Sequence, residues 1–352
     1  MNQPALYGIT NSNRNGNDLW GKNQFNSSFP ASLACYMRDK NLKAVYLNLD
    51  SELNVVADEI GFDEVFNTSK PNNELFFAFE TKYLPYQRFA FDDIGHIDLV
   101  IKSEGNWARP LEVKLTVIPD STTFRQYESR WGSEIVIRPA TTSYCALGIA
   151  DTIEHNLRRV REIFEPTCHG IQHWDNQIEI SSLKAPIIAS LDSFQREFYQ
   201  SQKPFLLQPI WKTKGKSPIL DDHAFDIFIW SDYALCRLFI ERSATGNNKV
   251  NRPLRTTARL ARILYEISCS GKTHIENIYT QMTFGLQSDK EFALSGKVTR
   301  GYMQSPRLTM PLLPPSILPE IILNGGEKML SPERRFDQTI FFATEHEFGA
   351  FN

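Results

Sequence analysis

A chain of 352 residues, 41% hydrophobic and 22% charged, has room for one enlarged domain or two ordinary ones. Those fractions exclude a wholly disordered, collagenous or coiled-coil protein. Apolar runs of 18 residues are absent and the Asn-rich start has no apolar signal segment, so the chain reads as cytoplasmic, with no membrane partner. Cys35, Cys145, Cys168, Cys236 and Cys269 are scattered and never form CxxC, which argues against a zinc ribbon and for buried thiols.

The net charge of −3 is unevenly spread. Residues 50–120 hold 14 Asp+Glu against 6 Lys+Arg, whereas residues 201–310 hold 16 Lys+Arg against 9 Asp+Glu. Acidic districts gather divalent cations and basic surfaces gather phosphate, although both can be ordinary solvated surfaces.

In chain order, residues 1–28 contain seven Asn and suit an irregular arm. Residues 31–40 suit a helix, and residues 43–49 (KAVYLNL) alternate as a strand. Residues 72–84 follow Pro71 and place Leu75, Phe76, Phe79 and Tyr83 at helical spacing, so a helix is predicted. Residues 96–102 (HIDLVIK) and 110–118 (PLEVKLTVI) alternate on either side of Ser103-Glu104-Gly105-Asn106, the pattern of a hairpin. A third strand fits residues 133–138 and a helix fits residues 144–164. Farther on, residues 185–191 and 204–211 suit strands, and residues 223–239 suit a strand running into a helix. Residues 254–269 form an amphipathic helix pattern, and a Pro-rich stretch over 311–319 leads to the tail.

The hairpin carries the chemistry. Asp98 lies on its first strand and Glu112-Val113-Lys114 on its second. Two carboxylates on neighbouring strands can share Mg²⁺, a hard cation that prefers oxygen ligands. Such a metal polarises a phosphate and acidifies a bound water. The period of two puts Glu112 and Lys114 on one face, where an ammonium can orient the water and offset transition-state charge. Metal-dependent nucleases use this arrangement.

The string alone says little, because [DE]-x-K should occur roughly twice by chance in such a composition. It occurs at Glu80-Thr81-Lys82 and at Glu112-Val113-Lys114. Helical residues two apart do not share a face, which sets the first occurrence aside if residues 72–84 are helical. The bland reading of the second is an amphipathic strand with its charges turned to solvent.

Asp98…Glu112-Val113-Lys114 resembles the signature of the PD-(D/E)XK nucleases, widespread among type II restriction endonucleases. LEVKLTVIPD over 111–120, SEIVIRP over 133–139 and Asn11-Ser12-Asn13-Arg14 are similar to the HindVP-type restriction endonucleases. The resemblance is best over residues 10–165. It implies Asp98 and Glu112 as metal ligands, Lys114 as the catalytic lysine, Mg²⁺ as cofactor and double-stranded DNA as substrate. It also implies cutting at a palindrome of the GRCGYC kind and a cognate DNA methyltransferase as genetic partner. Ile97 stands where the signature has Pro, which leaves Asp92 and Asp93 as rival ligands.

The basic second half then suits DNA contact. Arg255, Arg259 and Arg262 fall at i, i+4 and i+7, with Arg252 just before them. Such a stripe can neutralise phosphates or read guanine edges, and Lys212 and Lys214 form a basic loop. The alternative is a solvated helix face paired with carboxylates. Lys272-Thr273 lacks the first glycine of a phosphate-binding loop, since position 266 is Glu, and no second Cys pair completes a zinc site around Cys168, His169 and His173.

The expected architecture is α/β: a mixed central β-sheet flanked by helices, a restriction-endonuclease-like core with an enlarged C-terminal region. The expected divisions are an arm (1–28), a catalytic core (29–180), and a DNA-contacting region with the tail (181–352). A palindromic site needs two active sites about a two-fold axis, hence a homodimer. Two alternatives stay open: a repair or structure-specific nuclease of the same type, and a non-catalytic DNA-binding protein.

Overall fold

The computed structural model describes residues 38, 41, 43–71, 74–113, 116–119, 139–200, 203–213, 225–245, 250, 252–282 and 284. The expected arm, the strand over 133–138, the Pro-rich stretch and the tail lie outside them. So does most of the helix expected over 31–40.

The centre is an eight-stranded mixed sheet. Its strands are β1 (Lys43–Leu49), β2 (Val55–Gly61), β3 (Leu75–Thr81), β4 (Ile97–Ser103), β5 (Asn106–Val113), β6 (Thr116–Pro119), β7 (Pro204–Thr213) and β8 (Phe225–Ser231). The order is β2-β1-β8-β7-β5-β4-β3, with β6 also paired to β7. Pairings β1–β8, β5–β7 and β6–β7 are parallel, and the rest are antiparallel. β5 meets Leu206 and Leu207, and β6 meets Ile210 to Thr213, so the two run in succession along one side of β7. The sheet crosses the division expected near residue 180, because β7 and β8 lie between β1 and β5.

The helices are α1 (Phe62–Phe66), α2 (Pro139–Thr152), α3 (Leu157–Cys168), α4 (Gln177–Ser182), α5 (Lys184–Phe198), α6 (Asp232–Thr245), α7 (Arg252–Ser270) and α8 (Ile275–Gln281). Helix α7 is the hub, packed against α2, α3, α5 and α6. Its Leu260, Ile263, Leu264 and Ile267 are buried, and so are its Thr256, Thr257, Arg255 and Arg259. A helix enclosed by four others loses its polar face to the interior.

Three sequence expectations are corrected. The stretch predicted as a helix over 72–84 is edge strand β3 followed by a 3₁₀ turn over Leu84–Phe89. Its pairing with β4 from Leu75↔Ser103 to Thr81↔Ile97 fixes it as a strand, with Leu75 buried and Phe76 62% exposed. The helix expected over 144–164 is broken into α2 and α3 by a 3₁₀ turn at Glu154–Asn156. Residues 185–191 lie in helix α5, whose Ile187, Ser190, Leu191 and Phe194 face the core at helical spacing.

Candidate active site

Strand β4 reads IDLVIKS, with Asp98 and Lys102 less buried than the apolar residues between them. Glu104 and Gly105 turn the chain into β5, with Gly105 at φ 68, a left-handed value that glycine adopts at no steric cost. The pairs Leu99↔Leu111 and Val100↔Pro110 fix the register. One step farther, the same register sets Asp98 opposite Glu112. Asp98 Oδ2 accepts from the Val113 amide at 3.0 Å, which ties the two acid-bearing strands together at that point.

Side chains alternate along β5, so Arg109 and Glu112 leave opposite faces of the sheet. Arg109 donates to the carbonyls of Val65 and Glu64 in α1. Glu112 points to the other face and meets α2, where Thr141 Oγ1 donates to its Oε1 at 3.1 Å. Glu112 and Thr141 are both buried. One turn along α2, Tyr144 OH donates to the Gly95 carbonyl at 2.7 Å and accepts from the Tyr83 amide at 3.1 Å. Burial first, and the nearby Glu112 charge as well, push the Tyr144 phenol up to about 12. It therefore stays a donor throughout the ordinary pH range.

The candidate ligands from the preceding loop have structural partners. Asp92 accepts from the amides of Ile275 and Glu276, closing the start of α8. Asp93 pairs with Lys82 at 2.7 Å on the surface. His96, just before β4, is exposed.

Correcting residues 72–84 also removes the ground for setting Glu80 aside. Between the pairs Phe79↔Leu99 and Thr81↔Ile97, the register puts Glu80 opposite Asp98. Glu80, Asp98 and Glu112 thus occupy one row across β3, β4 and β5. Periodicity concealed this, because the row exists only once three strands are paired. The contacts of Thr141 and Tyr144 were equally hidden, since each spans 29 or more residues of chain.

Lys114 and Lys214 lie outside the described residues. Lys212 stands opposite Ile118 in the β6–β7 pairing. Arg252 begins α7. The other three arginines turn inward: Arg255, Arg259 and Arg262 are 1%, 3% and 8% exposed. Arg259 donates to the Met282 carbonyl at 2.7 Å. Arg262 donates to Glu266 and Gln281 and lies over the Trp174 ring. A solvent-facing stripe is therefore corrected to a buried one, because α7 is the hub of the helical layer.

Around Cys168, burial pushes the thiol up to about 12, and His169 meets the Tyr265 hydroxyl. Among the described residues, no group of three or more His, Cys, Asp or Glu side chains could hold a metal. No helix among them is long and apolar enough to cross a membrane. The Asp98 and Glu112 pair nevertheless suits Mg²⁺, which is commonly held by one or two carboxylates with waters and substrate phosphate completing its shell.

The family model of the HindVP restriction endonuclease matches residues 20–348. The type II restriction enzyme HgiDI of Herpetosiphon aurantiacus is 41% identical over 346 residues, which cover 97% of this chain and 96% of that protein. The probable type II restriction enzyme HindVP of Haemophilus influenzae is 36% identical over 347 residues, 97% of this chain and 95% of that protein. No solved structure matches. The mixed sheet with helices around it agrees with a restriction-endonuclease-like core, and the chain belongs to the HindVP restriction endonuclease family.

Proposed function

We propose that this enzyme hydrolyses phosphodiester bonds of double-stranded DNA at a short palindrome, of the GRCGYC kind, in a Mg²⁺-dependent PD-(D/E)XK mechanism. The observation that carries the reading is that Asp98 and Glu112 stand one residue beyond the Leu99↔Leu111 pair on adjacent antiparallel strands, with Asp98 accepting the amide of Val113 next to Glu112. Asp98 and Glu112 are the proposed metal ligands. The metal, when bound, polarises the scissile phosphate and acidifies the attacking water. Lys114, two residues beyond Glu112, is proposed to orient that water and to offset the charge that grows on the phosphate oxygens.

Substrate grip is proposed for Lys212, near the end of β7, and for Lys214, two residues on in the sequence, because ammonium groups bind backbone phosphate as point charges. The same role is proposed for Arg252, the first residue of α7. Arg255 is buried, and Arg259 and Arg262 instead bind Met282 and Gln281 beyond the end of α7. A palindromic target calls for two copies of the site, so the working form is proposed as a homodimer in the cytoplasm, paired with a DNA methyltransferase that protects host sites. The test is cleavage of unmethylated phage DNA with Mg²⁺ and with EDTA. Discrete Mg²⁺-dependent fragments are expected. A Mg²⁺-dependent smear would favour a structure-specific or general nuclease, and intact DNA bound by folded protein would favour a binding protein.

A further inference from the structure

A carboxylate that holds a cation must present a particular oxygen in a particular plane, yet the terminal torsion of a glutamate is broad and barely selects one. Glu112 meets this need in a specific way. We infer that Thr141 is its positioning residue: the threonine hydroxyl, donating to Oε1 at 3.1 Å, sets the plane of the Glu112 carboxylate. The inference rests on Glu112 being a metal ligand.

Three observations support it. Both side chains are buried, Glu112 at 7% and Thr141 at 4% exposure, so the bond lies away from bulk water. The helix that carries Thr141 is registered on the other acid-bearing strand as well. Tyr144, three residues along α2 and so on the same face, binds the carbonyl of Gly95, just ahead of Asp98. Farther along, Gly148 lets α2 sit close against α6, since a Cβ there would lie 2.1 Å from Asp232 Oδ2. Helix α2 is thus fixed at one end by a close approach and at the other by two hydroxyl contacts, one to each acid-bearing segment. Groups that orient a metal's ligands matter nearly as much as the ligands, and their loss commonly costs about 10–100-fold in metal affinity or activity.

The test compares the full-length chain with Thr141→Val, which keeps the shape and loses the hydroxyl, and Thr141→Ser, which keeps the hydroxyl. Thermal melts establish that each is folded, and Thr141→Ala replaces the valine variant if that one is not. Mn²⁺ binding is followed by electron paramagnetic resonance, with the protein alone and with duplex phage DNA on ice. The Mg²⁺ concentration that half-saturates cleavage is measured in parallel. The expected result is Mn²⁺ affinity weakened about tenfold or more in Thr141→Val, a matching rise in the half-saturating Mg²⁺, and recovery of both in Thr141→Ser. Wild-type Mn²⁺ affinity in folded Thr141→Val, with Glu112→Ala unable to bind, would overturn the role of Thr141 and leave that of Glu112 standing. If Glu112→Ala binds Mn²⁺ as the wild type does, the metal assignment itself falls, and the positioning role with it.

Discussion

Asp98 Oδ2 accepts the amide hydrogen of Val113 at 3.0 Å, so one proposed metal ligand holds the backbone immediately beyond the other. The two substitutions at this position should therefore separate fold from chemistry. Asp98→Asn keeps an oxygen that can accept and should melt close to wild type. Asp98→Ala leaves the amide unpaired and should lose about 1–3 kcal/mol. Both should be inactive on DNA. Calorimetric melts beside a cleavage gel check this, and an active Asp98→Asn enzyme would contradict the ligand role.

Tyr144 serves two backbone groups with one hydroxyl. Tyr144→Phe strands the Gly95 carbonyl and the Tyr83 amide together. A loss of about 1–3 kcal/mol in urea denaturation is expected, accompanied by reduced cleavage because the segment entering β4 is no longer held. Unchanged stability would show that water replaces the phenol.

Asp232 is a second buried carboxyl, far less exposed than its charge would favour, with Oδ1 lacking a hydrogen-bond partner among the described residues. Burial raises its pKa well above the ordinary carboxylate value, against the opposing fields of Arg109 and Lys203. The folded protein thus keeps a proton that the unfolded chain releases near pH 3.8. Its stabilising contribution is full below that pH and is lost as pH rises toward the folded-state pKa. Asp232→Asn carries no such proton. Its stability should fall less than the wild type's as pH is raised from 4, and parallel melting curves against pH would contradict this.

Arg259 illustrates what the sequence could not disclose. Its spacing with Arg255 and Arg262 defines one face of a helix, but whether that face meets solvent depends on helices distant in the chain. Arg259→Ala should lower stability by about 2 kcal/mol or more, through loss of packing and of the buried bond to Met282, and should leave the salt dependence of DNA binding unchanged. A smaller salt slope with unaltered stability would restore the phosphate-contact reading.

The same limit governs the rest of the chain. Strands β1 and β4 were legible because each alternates, and α7 because its apolar side repeats at helical spacing. Strand β3 was not, since Leu75, Phe76, Phe77 and Phe79 satisfy both periods and only pairing with β4 decides between them. The two acids of the hairpin were visible as a motif. Their hydroxyl supports on α2 were not, because nothing local in residues 139–152 marks a long-range contact to Glu112.

Asp98 and Glu112 are proposed to form a cation-dependent site for cutting DNA. The most direct measurement is to incubate unmethylated phage DNA with wild type, Asp98→Asn and Glu112→Gln, each with Mg²⁺ and with EDTA, and to resolve the products on a gel. Sharp fragments from the wild type with Mg²⁺ alone, and intact DNA from both folded variants, are the predicted result. Fragments in EDTA, or from either variant, would contradict the account.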